Sequence, residues 1–294
     1  MFRAALLSLT AFYLFPTDGR GALPEPAATE YGPANGSLLI VGGGGMPPEL
    51  VAKFIELAGG PDKKFVVVPT AGGNRDAEGK PQVYREENEA AWLLKRGVKN
   101  VRMLHTHDPE MADRKDFAAM LRDADAVWFG GGRQWHIVDS YAGTLTLREF
   151  HKVLERGGVI GGSSAGATIQ GEYLVRGDTR GPNIMMTDEA NHQKGFAFLR
   201  RAAIDQHIDT RNRWNDLIPV VAKFPHLLGI GLSEATGIVV RGDIFEVLGR
   251  GKVAVYDPTR TPKTGEKPYL VLSAGDAYQM KDRRSVISAA SGTR

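Results

Sequence analysis

Gly158-Val159-Ile160-Gly161-Gly162-Ser163-Ser164-Ala165-Gly166 is the stretch on which the fold turns. Its first half is a short apolar run of strand character. Its second half, Gly162-Ser163-Ser164-Ala165-Gly166, fits the spacing G-x-S-x-G, and a helical pattern follows. A strand that enters a helix through so tight a turn belongs at the edge of an α/β sheet, where the serine hydroxyl stands above the strands. The flanking residues must be small, because the turn leaves no room for side chains. The backbone N–H after the serine then points to where an oxyanion would form. A plain Gly/Ala-rich turn or a phosphate cradle at a helix start has the same local pattern, so the rest of the chain must decide.

The same rhythm repeats upstream. Ser37–Val41 runs into glycines 42–45 and a helix near Pro48. Lys64–Val68 runs into Thr70-Ala71-Gly72-Gly73, with a helix expected at 84–95. The run 100–104 precedes a helix expected at 109–123, and Ala126–Phe129 runs into Gly130-Gly131-Gly132 and a helix from Gln134. Apolar runs that alternate with helices predict a mostly parallel sheet flanked by helices on both faces. Ligands of such sheets sit beyond the carboxyl ends of the strands, where these glycine clusters lie. The runs 227–232, 237–240, 244–248 and Val253–Tyr256 have very short connections, so they predict an antiparallel C-terminal extension of that sheet. Arg241-Gly242-Asp243 is expected to be one of its turns.

Of 294 residues, 42% are apolar and 24% charged, and one α/β domain over 37–280 can bury its core without disulfides or metals. Residues 23–36 are rich in Pro, Ala and Gly and are expected to be a linker; 281–294 are expected to be a polar, frayed tail. Arg3, the apolar residues 4–15 and the small-residue exit at Gly21-Ala22 predict a signal peptide over 1–22, hence export to the periplasm or outside. That stretch is too short to span a bilayer, and no other segment qualifies. The formal charge of +3 and the lack of a long Lys/Arg run argue against a nucleic-acid partner. The chain has no cysteine, which excludes a thiolate nucleophile, a disulfide frame and a Cys-held metal. The glycines at 42–45 lack the last glycine of a dinucleotide fingerprint.

A serine nucleophile needs a base, and the base needs an orienting acid. Of seven histidines, His207 alone lies in an apolar strand-like run (Ala202 to Ile208) that ends in a polar, arginine-bearing turn. His151 and His192 have polar, surface-like neighbours. His105-Thr106-His107-Asp108 has the types of a metal site, but no matching second cluster follows, and it is expected to be a solvated loop.

These segments together resemble the cyanophycinase and aspartyl dipeptidase family of serine peptidases. The elbow at 161–167 is similar to that family's Gly-(Thr/Ser)-Ser-Ala-Gly-Ala. Asp205-Gln206-His207 with Arg211 and Arg213, Gly229-Ile230-Gly231 through Glu234 and Thr236, and Gly131-Gly132-Arg133-Gln134 resemble three further motifs in the same order, and Gly42-Gly43-Gly44 also fits. The resemblance implies a class-I-glutamine-amidotransferase-like fold and a Ser-His-Glu triad. Ser164 would attack, His207 take the proton, Glu234 orient His207, and the N–H groups of Gly132 and Ala165 hold the oxyanion. Gln134, Asp205, Arg211 and Arg213 would line the substrate cleft, arginines there suiting a carboxylate-rich substrate. Two positions depart from the pattern: Arg133 stands where the family has Asp, and Asp216 where it has Arg. The implied substrate is the β-aspartyl-arginine isopeptide linkage of cyanophycin or a similar polymer, with no metal or cofactor; a homodimer is allowed. An aspartyl dipeptidase and a catalytically silent binding protein on the same fold are the alternatives.

Overall fold

A computed structural model of the chain describes residues 29–76 and 78–286. The expected signal peptide and residues 23–28 of the expected linker lie outside the described residues.

The strands are β1 (Ser37–Val41), β2 (Lys64–Val68), β3 (Asn100–Met103), β4 (Ala126–Phe129), β5 (Val159–Ser163), β6 (Gly171–Tyr173), β7 (Leu199–Gln206), β8 (Leu228–Leu232), β9 (Thr236–Arg241), β10 (Ile244–Gly249), β11 (Val253–Tyr256), β12 (Leu270–Leu272), β13 (Ala277–Gln279) and β14 (Arg284–Val286). The helices are α1 (Pro48–Leu57), α2 (Glu86–Glu89), α3 (Ala91–Leu94), α4 (Pro109–Ala112), α5 (Lys115–Ala118), α6 (Gln134–Tyr141), α7 (Leu145–Glu155), α8 (Ala165–Thr168) and α9 (Ile218–Lys223).

The fold is α/β. Its larger sheet has the order β14-β13-β10-β9-β1-β5-β4-β2-β3. The five strands β1 to β5 run parallel, and β9, β10, β13 and β14 add antiparallel at one side. Side chains of the central strands alternate between two apolar clusters. Ile40, Val66, Val127 and Ile160 face one way, with Tyr141 of α6 and Phe150 of α7. Leu39, Phe65, Ala126 and Val159 face the other, with Phe54 of α1. A strand buried on both faces must be apolar at consecutive positions, which is why these runs show no polar alternation.

The C-terminal strands do not all extend this sheet, as the sequence led us to expect. A second sheet, ordered β12-β11-β8-β7-β6, takes β8 and β11. The chain crosses from β8 to β9 through Ser233-Glu234-Ala235, where Ala235 takes a φ of 52°. Short connections predict neighbours in space, but a left-handed residue in the connector redirects the strand to another sheet. The Arg241-to-Ile244 segment is a tight hairpin turn, as expected.

Other expectations need correction. The helix expected at 84–95 is two short helices, α2 and α3. That expected at 109–123 breaks after α4, where Arg114 is extended and Asp113 instead accepts the Leu145 N–H at the start of α7, at 2.6 Å. Residues 29–36 are not a loose linker: Tyr31 is buried, and the Asp243 carboxylate accepts the N–H groups of Glu30 and Tyr31 at 2.9 and 2.8 Å. Within the expected polar tail, residues 284–286 form a strand, β14, paired with β13, and residues 287–294 lie outside the described residues.

Candidate active site

The elbow forms as its residue types demand. Ser164 sits between β5 and α8 with φ 57° and ψ −115°, a strained conformation for a residue with a Cβ. A Cβ on Gly162 would lie 2.2 Å from the Gly166 carbonyl oxygen, so the turn closes only around glycine.

His207 ends β7 and Glu234 lies in the β8–β9 crossing, so the two come from neighbouring strand ends of the second sheet. Ser164 comes from the first. The carboxyl end of β1 and the residues after it tie the three together by backbone alone. The carbonyl of Val41 accepts the Ser164 N–H at 3.1 Å, Gly42 that of His207 at 2.9 Å, and Gly43 that of Ala235 at 2.9 Å. With the Glu234 carboxylate beside Nδ1, His207 carries its proton there and donates it to Oε1 at 2.5 Å. Nε2 is then the acceptor, and the Ser164 hydroxyl donates to it at 2.9 Å. Thr210 also donates to Glu234 Oε1, at 3.0 Å, and Asp209 accepts the Glu234 N–H at 3.0 Å. The carboxylate is thus held at Oε1 by His207 and Thr210, and its backbone by Asp209.

Burial holds the His207 imidazole below its ordinary value; Glu234 opposes the shift, and Arg211 and Arg213 add to it. A neutral imidazole with a free Nε2 lone pair is the form a general base requires. The N–H groups of Gly132 and Ala165 donate to no acceptor among the described residues. Ala165 follows Ser164 at the start of α8, and Gly132 follows Gly131, where a Cβ would lie 3.8 Å from Ser164 Oγ.

A cleft of about 420 Å³ opens over Ser164 and is lined by Gly132, Arg133, Gln134, Arg176, Arg211 and Arg213, among others. Gln134 lines it but spends its amide donors on the carbonyls of Val175 and Arg176, at 2.9 and 2.7 Å. Asp205 does not line it. It is fully buried and grips Arg176 with both oxygens, at 2.8 and 2.9 Å. An unpaired carboxylate cannot stay charged at such depth, so Asp205 serves the arginine rather than a ligand. Asp216 closes on the same guanidinium at 2.5 Å. Arg213 leans on the Gln206 carbonyl at 3.3 Å; burial, with Arg176 nearby, lowers it to about 10.

Sequence reasoning missed Arg176 and Gln206 as cleft residues. A lone arginine closing the apolar run Leu174-Val175 was the available signal for the first. Two histidines are also not as expected. His192 is buried between Asp139 of α6 and Glu189, at 2.7 and 2.6 Å, where it clamps the 176–193 segment to α6. His151 packs on Phe198. His105 is no solvated-loop residue either: its Nδ1 bonds Thr70 at 3.0 Å, and its ring lies tilted against Tyr84 and edge-on to His107. Among the described residues, no group of three or more His, Asp or Glu side chains is arranged to hold a metal ion.

The chain is similar to known proteins over most of its length. The model of peptidase family S51 matches residues 38–248. The cyanophycinase of Synechococcus elongatus is 29% identical over 252 residues, covering 79% of this chain and 74% of that protein. The cyanophycinase of Geminocystis herdmanii is 28% identical over 265 residues, covering 83% of this chain and 94% of that protein. The crystal structure of a peptidase from an acI-B1 Actinobacterium shares the fold, with a TM-score of 0.63 and 23% identity over 83% of this chain and 96% of that one.

Proposed function

This chain belongs to peptidase family S51 and is a serine peptidase, and we propose that it cleaves the bond at an aspartyl carbonyl through an acyl-enzyme on Ser164. The observation that carries the proposal is the relay from Ser164 Oγ to His207 Nε2 at 2.9 Å, and from Nδ1 to Glu234 at 2.5 Å, on the floor of an arginine-lined cleft. As the Ser164 oxygen adds to the substrate carbonyl carbon, its proton passes to His207. The developing oxyanion meets the N–H groups of Gly132 and Ala165. When the C–N bond breaks, His207 returns the proton to the departing amine. Water then adds to the ester carbonyl, giving its proton to His207, and the ester bond to Ser164 breaks as that oxygen takes the proton back. Throughout, Glu234 holds the imidazole in one tautomer.

Two substrate classes follow from two observations. Similarity to cyanophycinases over most of the chain supports the β-aspartyl-arginine linkage of cyanophycin or a like polymer. The arginine lining of the cleft supports small aspartyl peptides. A fluorophosphonate probe should label the native protein and not Ser164→Ala. Unlabelled native protein, with a control peptidase labelled, would leave only a binding protein on this fold. Digestion of cyanophycin and of α-aspartyl dipeptides separates the two substrates; cyanophycin that yields neither soluble aspartyl-arginine fragments nor free arginine removes the first.

A further inference from the structure

The charge of the cleft is lopsided. Four arginines line it, at 133, 176, 211 and 213, and no carboxylate does. Four of the five donors of Arg176 are taken: Asp205 takes two, Asp216 a third, and the Pro182 carbonyl another at 2.6 Å. Arg213 has Gln206, with Asp205 at 3.9 Å. Arg133 and Arg211 have no carboxylate within ion-pair distance among the described residues.

Arg133 is the unusual one. Its N–H is fixed to the Ala71 carbonyl at 2.7 Å, so its backbone position does not depend on its side chain. Its guanidinium is exposed and lies 5.5 Å from the centre of the Trp135 ring, which steadies it without consuming its hydrogen-bond donors. It follows directly on Gly132, whose N–H faces the reacting carbonyl in the proposed chemistry. A cleft of this volume takes a ligand of about dipeptide size, so both residues of a dipeptide fall within reach of its walls.

We infer that Arg133 gives this cleft a second anion-binding position, so that the peptide it takes carries a further carboxylate on the residue joined to the aspartyl, and a guanidinium at that place is repelled. The inference rests on the aspartyl-bond proposal above and takes its small-peptide class, against the β-aspartyl-arginine linkage. The aspartyl carboxylate satisfies one free arginine, and Arg133 remains for the carboxylates of the neighbouring residue, its α-carboxylate included. An arginine side chain brought into the same space finds cations on several walls and no acid to meet it. Repulsion of this kind sets specificity as much as attraction does.

The test compares kcat/KM of the native enzyme for the dipeptides aspartyl-glutamate, aspartyl-glutamine and aspartyl-arginine, with Arg133→Gln and Arg133→Asp alongside. The native enzyme should favour the glutamate peptide over the arginine peptide by roughly 10- to 100-fold, with glutamine between, and the ratio should shrink as salt is raised. Arg133→Gln should lower that ratio and Arg133→Asp should lower it further, by at least about tenfold in total. A native enzyme that cleaves the three equally or favours arginine overturns the inference, as does an unchanged ratio in Arg133→Asp. If none of the three is cleaved while the probe still labels Ser164, this inference falls, and the aspartyl-bond proposal falls with it when cyanophycin is left intact as well.

Discussion

The His207 imidazole lies against the backbone of Gly43 so closely that a Cβ there would sit 2.1 Å from Cε1. The same glycine has φ +105° and accepts the Ala235 N–H, the residue after Glu234. One backbone position thus sets the distance between the base and its acid. Gly43→Ala forces the ring to move. A misplacement of about 1 Å is enough to cost about 100-fold in rate. The expected outcome is a fall of that order in fluorophosphonate labelling, with far-UV circular dichroism unchanged. Labelling at the native rate would show that the ring does not depend on Gly43.

The pH profile should carry the mark of a depressed imidazole. Burial keeps His207 neutral below the ordinary histidine value of 6.5, so the base form persists as pH falls toward that value. The acid limb of kcat/KM should therefore have its midpoint below 6.5, and activity should be lost only on further acidification. Measured kcat/KM from pH 4 to 9 checks this. A midpoint at or above 7 would contradict it.

Arg176→Met should destabilise the fold. It strands the Asp205 carboxylate, which is 0% exposed, without its bidentate partner. Removing one member of a buried pair costs about 3–5 kcal/mol. Asp216→Asn should cost much less, since Asp216 is 35% exposed and solvent screens the pair. Urea denaturation of the two variants gives both numbers, and equal losses would refute the assignment of Asp205 as the buried partner.

His105 should make stability fall in acid. Burial, with His107 beside it, lowers its folded value to about 4, against 6.5 for an ordinary histidine. Between those values the unfolded chain binds the proton and the folded one does not. Its contribution is then present above 6.5 and is lost as pH falls toward 4. The melting temperature should drop across that window, and the drop should be smaller in His105→Gln. An identical drop in the variant would assign the effect elsewhere.

The apolar runs Ser37–Val41, Lys64–Val68, Ala126–Phe129 and Gly158–Gly161 were legible as strands, because burial on both faces writes itself into consecutive residues. Ser164 was legible because the turn admits only small neighbours. His207 and Glu234 were found through the order of motifs along the chain, not through any local rule that joins 207 to 234. The helices at 84–95 and 109–123 were misjudged because helical periodicity cannot see a distant N–H, such as that of Leu145, claiming Asp113.

By itself, the sequence determined where strands and the serine turn form, since those depend on the residues within a few positions of each other. Only the tertiary structure decided the rest: that β8 and β11 leave the main sheet, that residues 29–36 dock on Asp243, and that Asp205 serves Arg176 instead of facing the cleft. The physical reason is common to all three. Each depends on which groups share a buried space, and for Glu30 and Asp243 that means partners 213 residues apart in the chain. An ion pair or a sheet neighbour is chosen by desolvation and register in three dimensions, and spacing along the chain does not encode either.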